Sequence, residues 1–521
     1  MRDERIHEHP VLEFERGKKV RIIYDGRELE AFENETIASA LYANGYKIFS
    51  RSLKFHRPRG MYCGIGKCSS CMMRVNGVPN VRTCIEMVSE GQIIESQNSF
   101  PSARFDVFNI FDYVFPKKMD YHHIFLKPKI LNRFFQRVVR YFSGIGEFPQ
   151  AQSSEKPKKI VRKTDIAIVG GGPGGLSAAI KASKFGASVT LIDENPTLGG
   201  QLIKQTHRFF GSAKHYAGIR GTEIAKILVD EVSKNRVKIL LNARVFGCYP
   251  QKLLGILQNG NLIKLKAKKI IFATGAYENH LLFENNDLPG VYGAGGAQTL
   301  MNVYGVKPGD EALIVGSGNV GLILAYQLLQ SGVRVKAIVE ALPKIGGYVV
   351  HAAKIKRFGV PILTSHTVKK ALGRERVKGA LLIRLTPACE FIEGTEMKVR
   401  CDFICLSVGL KPTHELLYQA GCNLKLIPEL GGFVPLRDEN MQTSVFGVYV
   451  VGDSAGIEEA SSAMMEGKVA GISAALSMGI ENKEAFEERR ELKSELGELR
   501  SAPFSERIRV GVSKVVLEGG K

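Results

Sequence analysis

The chain has 521 residues, 44% of them apolar and 24% charged, ordinary values for a globular protein of several domains. No run of about 18 apolar residues suggests a membrane-spanning helix. The charged start "MRDERIHEHPVLEFERGKK" lacks the apolar core of a secretory signal, so a cytoplasmic protein is expected. The net charge of +20 comes without a helix-turn-helix, zinc-finger or RNA-binding signature. It therefore points to anionic nucleotides or an acidic protein partner rather than to nucleic acid.

Residues 19–97 read as two short strands about a turn at Asp25-Gly26, a helix in "ETIASALYANG" ending at Gly45, a cysteine-rich loop, and further strands about Asn76-Gly77 and in "QIIES". That is the element order of a β-grasp ferredoxin. The loop "MYCGIGKCSSCMMRV" and the following "NVRTC" place Cys63, Cys68, Cys71 and Cys84 in the pattern C-x4-C-x2-C-x12-C. Zinc ribbons use two distant C-x2-C pairs, whereas a four-residue gap followed by a two-residue gap is the plant-type [2Fe–2S] spacing. The small residues Gly64, Gly66, Ser69 and Ser70 would let backbone N–H groups turn toward the sulfurs. Cys248, Cys389, Cys401, Cys405 and Cys422 are scattered and read as structural. His56, in "FHRPRG", is the nearest candidate for proton transfer, but beside Arg57 and Arg59 it reads better as a structural or phosphate-side residue.

Residues 105–142 are dense in Phe and Tyr mixed with Lys and Arg. Three readings fit: a segment lying on a membrane surface, an arm that binds a partner, or an arm packed across the chain's own domains. The polar linker "AQSSEKPKK" follows.

From Asp165 the chain alternates strand and helix patterns. "TDIAIVGGGPGGLSAAIKASKFGASVTLIDEN" carries Gly170, Gly172 and Gly175, with Asp193 and Glu194 at the end of the second strand. The first glycine makes the turn, the second admits a pyrophosphate to a helix N-terminus, and the third lets helix pack on sheet. Asp193 is placed to accept a bond from a ribose hydroxyl. Gly200 and Gln201 in "TLGGQ", Thr274 and Gly275 in "FATGAYE", and Gly452 and Asp453 in "VVGDSAG" extend this to the pattern of two-dinucleotide flavoproteins. The glycines read only an ADP moiety, so FAD, NAD and ATP all remain open for this fold. A second set, Gly316, Gly318 and Gly321 with Glu340, lies between the two halves of the first. The acid there favours NAD over NADP, since a 2′-phosphate would meet a like charge; a scaffold without ligand is the other reading. From Asn482 the charged tail reads as a surface helix with little chemistry.

This order of parts resembles the α subunit of heteromeric amine and amino-acid oxidoreductases. The group includes heterotetrameric sarcosine oxidase, opine oxidases, hydrogen cyanide synthase and dye-linked proline dehydrogenases. The resemblance is carried by "SLKFHRPRGMYCG", "DLPGVYGAGGAQTLMNVYGVKPG" and "GVYVVGDSAGIEEASSAMMEGKVAG". It implies an α/β two-dinucleotide-domain flavoprotein, Rossmann-like, with an NAD-type domain inserted in the FAD-type domain and a β-grasp ferredoxin-like domain in front. The expected boundaries are a [2Fe–2S] domain over 1–99, an aromatic arm and linker over 100–160 and the first FAD-type part over 161–290. The NAD-type insert follows over 291–410, the second FAD-type part over 411–480 and an extension over 481–521.

The resemblance further implies FAD in the first fold, with Asp453 holding its ribityl chain. It implies an FMN shared with a glycine-oxidase-like flavoprotein β subunit, and a further ferredoxin or small electron-transfer subunit as another partner. In heterotetrameric members the β subunit oxidises the amine and the α subunit passes electrons on. Sarcosine oxidase α lacks these cysteines and continues into a folate-handling half, so a dehydrogenase delivering electrons to a quinone, dye or ferredoxin-like acceptor fits better. The alternative is a stand-alone NADH:acceptor oxidoreductase. A third reading is an electron conduit whose nucleotides serve structure alone.

Overall fold

The computed structural model describes residues 3–53, 55–114, 128–143, 157–209, 213–480, 482–502 and 505–517. The chain forms two compact units, one of Met1–Ser153 with Glu278–Val408 and one of Ser154–Tyr277 with Gly409–Lys521.

The first unit begins with a five-stranded sheet in the order Arg27–Phe32, Lys19–Tyr24, Gln92–Glu95, Met72–Val75, Val78–Arg82. Lys19–Tyr24 pairs in parallel with Gln92–Glu95 and antiparallel with Arg27–Phe32. The hairpin turns at Asp25-Gly26 and Asn76-Gly77 have positive φ at both central residues, the conformation that lets two residues close a twisted hairpin. The helix Ile37–Ala43 is buried along its whole length. It starts at Thr36, whose Oγ1 accepts from the Ser39 N–H at 3.2 Å while Ser39 Oγ accepts from the Thr36 N–H at 2.9 Å, so two otherwise orphaned donors are satisfied.

The same unit contains a parallel sheet in the order Val291–Gly293, Phe403–Leu406, Glu311–Val315, Arg334–Glu340, Ile362–Thr364. A three-stranded antiparallel sheet (His366–Gly373, Val377–Arg384, Met397–Val399) completes it. The two sheet systems share one core: Ile22, Leu41, Tyr42 and Met73 from the first domain pack with Tyr292, Leu300, Met301 and Ile314 from the second. The compact insert starts at Glu278, ahead of residue 291, because residues 278–290 pack against the cysteine-bearing domain. Arg57 and Arg59 both pair with Asp287, at 3.0 and 2.9 Å.

The second unit is built on a seven-stranded sheet. Val237–Leu240, Val189–Ile192, Lys159–Val169, Asn261–Phe272, Leu253–Gln258 and Ala243–Tyr249 follow one another, and Val448–Val450 pairs with Asn261–Phe272. Ile166–Val169 and Ile270–Phe272 are buried throughout, as the centre of a sheet covered on both faces requires. The helices Pro173–Lys184, Gly221–Lys234 and Ala460–Leu476 cover it, and Lys483–Ser501 packs on Ala460–Leu476. Among the described residues no helix is long and apolar enough to cross a membrane.

The joint inside the first unit depends on a glycine. A Cβ on Gly296, in the helix Ala294–Gln298, would lie 2.1 Å from the Tyr62 carbonyl oxygen. Backbone cannot yield as a flexible side chain can, so Gly296→Ala should destabilise the protein by about 1–3 kcal/mol. Gly497→Ala, mid-helix and facing open space, should instead stabilise it by about 0.5–1 kcal/mol. Urea unfolding of the two variants checks both signs.

Candidate functional site

Cys63, Cys68, Cys71 and Cys84 come together in the loop that precedes Met72–Val75 and at the end of Val78–Arg82. Their sulfurs are in mutual contact: Cys63 is hydrogen-bonded to Cys68 and Cys84, and Cys71 to Cys84. Shared protons split the four thiols. Bonds from neighbouring thiols, first Cys68 and then Cys84, hold Cys63 well below its usual pKa, and Cys84 does the same for Cys71. Their partners Cys68 and Cys84 are pushed up.

Backbone N–H groups of Ile65, Lys67 and Cys68 point at Cys63 Sγ from 3.4–3.5 Å, and that of Gly66 at Cys84 Sγ from 3.3 Å. Gly64, Gly66 and Ser69 all have positive φ, which turns these donors inward. Among the described residues no three His, Cys, Asp or Glu side chains are placed to hold a single metal ion. A two-iron cluster divides its four thiolates between two metals, so converging sulfurs ringed by N–H donors are the relevant feature. The residues present fit a [2Fe–2S] cluster.

The loop is seated on the second dinucleotide-type fold. The Gly293 N–H donates to the Tyr62 carbonyl at 3.2 Å, and the Tyr62 ring stacks on His280 with centroids 4.5 Å apart. His56 is buried, with Nδ1 2.7 Å from Asp106 Oδ2. Arg51, equally buried, reaches Glu375 at 2.6 Å. These residues tie the start of the aromatic segment to its own unit, as does Tyr113, whose ring lies 3.3 Å below the Arg374 guanidinium. Residues 115–127 and 144–156 of the arm and linker lie outside the described residues, while Ile130, Leu131 and Phe134 on the helix Lys129–Ser143 are exposed.

The two glycine turns are built alike. A Cβ on Gly170 would meet the Ala273 carbonyl at 2.2 Å, and one on Gly316 would meet that of Ser407 at 2.1 Å. Gly175 and Gly321 crowd the carbonyls of Gly170 and Gly316 in the same way, at 1.9 and 2.1 Å. The middle glycines differ. A Cβ on Gly172 would meet only the Gly200 Cα at 3.8 Å, and one on Gly318 would meet nothing. Each turn thus keeps an open approach to a helix N-terminus, which is where a pyrophosphate binds.

The acids at the strand ends have a role that the sequence did not suggest. Asp193 is buried; its Oδ2 accepts from the Gly171 N–H at 2.7 Å and its Oδ1 from the Asn195 N–H at 2.8 Å. Oδ2 therefore braces the glycine turn, and Oδ1 the loop that follows the second strand. Each oxygen keeps a further acceptor site, and Glu194, exposed beside it and 3.3 Å from Arg244, is the carboxylate nearer solvent.

Glu340 repeats this arrangement, accepting from Ser317 N and Oγ at 2.9 and 2.7 Å. The glycine pairs repeat as well: Gly199 N donates to the Gly171 carbonyl at 2.9 Å and Gly347 N to that of Ser317 at 2.8 Å. Gly346 and Gly347 were legible in "KIGGY" as the counterpart of "TLGGQ", but sequence reasoning passed over them. In the first fold, Thr274 Oγ1 donates to the Thr413 carbonyl at 3.2 Å, and Gly275 has φ +68° with open space beside it. Gln201 lies in the 3-10 turn Gly200–Lys204.

Asp453 sits where Val448–Val450 turns toward Ala460–Leu476. Burial pushes its pKa up to about 7; a hydrogen bond to the Glu458 backbone opposes this, while the charges of Glu466 and Glu458 add to it. Glu466 Oε2 accepts from the Gly452 N–H at 2.8 Å. Its Oε1 is held by Arg500 at 2.6 Å, and Arg500 also pairs with Glu458 at 2.6 Å. The tail helix is thus no bystander, contrary to its reading as a surface element with little chemistry. Nothing in "ELKSELGELR" marks Arg500, because the pairing depends on helix packing alone.

The folded chain holds a proton on Asp453 that the unfolded chain releases near the ordinary value of 3.8. The resulting stability is full below that value and lost as pH rises through about 7. In flavin-free protein, Asp453→Asn should therefore gain stability relative to the parent, by more than about 1 kcal/mol, between pH 4 and pH 8. Denaturant titrations at those two pH values check the sign.

Comparison with known proteins agrees with this architecture. Residues 17–99 match the 2Fe-2S iron-sulfur cluster binding domain. The chain is 31% identical over 354 residues to sarcosine oxidase subunit alpha of Rhizobium meliloti (strain 1021), covering 64% of this chain and 35% of the relative. It is 25% identical to sarcosine oxidase subunit alpha of Corynebacterium sp. (strain P-1), covering 91% of this chain and 45% of the relative. It therefore spans less than half the length of these relatives. The crystal structure of L-proline dehydrogenase from P. horikoshii superposes with a TM-score of 0.64 at 25% identity, over 93% of this chain and 79% of that one. Residues 164–467, more than half of the chain, match the pyridine nucleotide-disulphide oxidoreductase model, and the chain belongs to that family of flavoproteins, with a 2Fe–2S domain joined to its N-terminal side.

Proposed function

We propose that the chain is the electron-transferring subunit of a flavin-dependent dehydrogenase acting on the CH–NH bond of an amino acid or secondary amine such as proline, sarcosine or an opine. The observation that carries this reading is the seating of the four-thiol loop on a dinucleotide-type fold within one core, in a chain that carries a further intact dinucleotide turn in its other unit. The relatives' names support it: one is an oxidase subunit for an N-methylated amino acid, the other a proline dehydrogenase.

In this reading Cys63, Cys68, Cys71 and Cys84 hold the cluster. Gly170, Gly172 and Gly175 admit FAD to the first fold, with Gly200, Gln201, Thr274, Gly275, Gly452 and Asp453 around it. Gly316, Gly318, Gly321 and Glu340 receive a second adenine nucleotide, of the NAD type. Bound there, the cluster would supply one-electron chemistry and the two nucleotides two-electron chemistry. This chain's residues hold them in place, and the N–H groups at Cys63 and Cys84 stabilise negative charge on sulfur. Amine oxidation belongs to a partner, a glycine-oxidase-like flavoprotein subunit that would share an FMN at the contact, and a small ferredoxin-like subunit is a further partner.

A second reading is an NADH:acceptor oxidoreductase working alone. The completeness of the second turn favours it, since Gly318 opens to space and Glu340 and Gly347 repeat the bracing of the first fold.

Two experiments test these readings. Protein purified without oxygen should be brown, with about two irons per chain, and Cys71→Ser should bleach it; stoichiometric zinc in place of iron would end the cluster reading. Amino-acid:dye activity should appear only when a flavoprotein subunit is added. Substrate oxidation by the purified chain alone would refute the subunit reading, and rapid NADH oxidation by that chain would favour the second one.

A further inference from the structure

We infer that Arg500 is a positioning residue of the first dinucleotide site, acting through Glu466 on the Gly452–Asp453 turn. Nothing in the region matched by the family model contains it, since that match ends at residue 467.

Gly452 has φ +65°, a turn that glycine makes without steric cost, and its N–H finds its acceptor in a side chain. Glu466, one helical stretch later, provides that acceptor through Oε2. A buried glutamate keeps this geometry only if its charge is compensated. Its side chain is 3% exposed, and burial pushes its pKa up while Arg500 and Arg437 pull it down.

Arg500 grips Glu466 Oε1 with one nitrogen and Glu458 with a fork, Nη2 to Oε1 at 2.6 Å and Nε to Oε2 at 3.1 Å. Arg437 stands farther off, with Nη2 3.8 Å from Glu466 Oε1, and its Nη1 is already given to the Ala455 carbonyl at 2.7 Å. It cannot replace the fork. Without Arg500, Glu458 and Glu466 would face each other and Asp453 with one distant cation. Protonation or rotation of Glu466 would then release the Gly452 N–H, and with it the turn that presents Asp453.

The tail helix is anchored elsewhere too. Lys181 and Lys184 bind Glu488, Lys184 also binds Glu484, and Lys493 binds Glu439. The helix can therefore remain docked when Arg500 is removed, and that separates positioning from folding.

The inference rests on the first fold holding FAD, so the test starts with the parent protein. The full chain is freed of flavin and titrated with FAD, following flavin fluorescence. If the parent does not bind FAD, the reading of that fold fails before the inference is reached. Arg500→Ala should bind FAD about tenfold more weakly or worse, with affinity recovered in part by millimolar ethylguanidinium. Arg500→Lys should fall between the parent and Arg500→Ala. Lys493→Ala, on the same helix but away from Glu466, should bind FAD as the parent does. Circular dichroism at the titration temperature restricts the comparison to folded protein, and Arg500→Lys carries the test if Arg500→Ala does not fold. Unchanged FAD affinity in both Arg500 variants would overturn the inference. So would an equal loss in Lys493→Ala, or a lower melting temperature with no recovery of affinity by ethylguanidinium.

Discussion

The approach of the Tyr62 carbonyl to Gly296 is the constraint on which the first unit depends. Two backbones meet there with no room for a side chain, so the loop bearing Cys63 is packed directly on the second dinucleotide-type fold. Close packing of this kind transmits position, because a well-filled interior is not continuously deformable. Arg57 and Arg59 on Asp287, Arg51 on Glu375 and the ring of Tyr62 on His280 surround the contact. Any redox group carried by the loop is thereby held in register with the second fold.

The two glycine turns show how one local solution serves twice. In each, a carboxylate at the end of the second strand braces the backbone of the turn, at Gly171 through Asp193 and at Ser317 through Glu340. In each, a later glycine donates to that same residue's carbonyl. Rigidity of the turn and openness at its middle glycine go together, since a pyrophosphate is held by N–H groups that must already point at it. The folds differ in what lies around the turn. The first has the carboxylates Asp453, Glu458 and Glu466 with two guanidinium groups; the second has the four-thiol loop. The folds differ in these surroundings, not in their turns.

Much of this was legible in the chain itself. The strand–glycine–helix–strand runs, the spacing of Cys63, Cys68, Cys71 and Cys84, and the turns at Asp25-Gly26 and Asn76-Gly77 are local patterns, set by backbone sterics and by hydrogen bonds between near neighbours. Local physics is enough to specify them, and so the β-grasp order, the two dinucleotide folds and the candidate ligands could be read directly. The resemblance-bearing stretches "SLKFHRPRGMYCG" and "DLPGVYG" gave no hint that they pack on each other, yet Arg57, Arg59 and Asp287 join them.

The tertiary structure decided the rest. It placed the cysteine-bearing domain in one core with the inserted fold, because the apolar faces of Ile22, Leu41 and Met73 meet those of Leu300 and Ile314. It also made Asp193 a brace of the glycine turn, through the Gly171 N–H on its Oδ2. Finally, it carried Arg500 from a charged, featureless tail to the carboxylates behind Asp453. The sequence alone determined which backbone motifs form and which side chains could bear redox chemistry. Which motifs share a core, and which charges neutralise one another, depended on contacts between residues hundreds of positions apart or on helix packing, and no local pattern encodes those contacts.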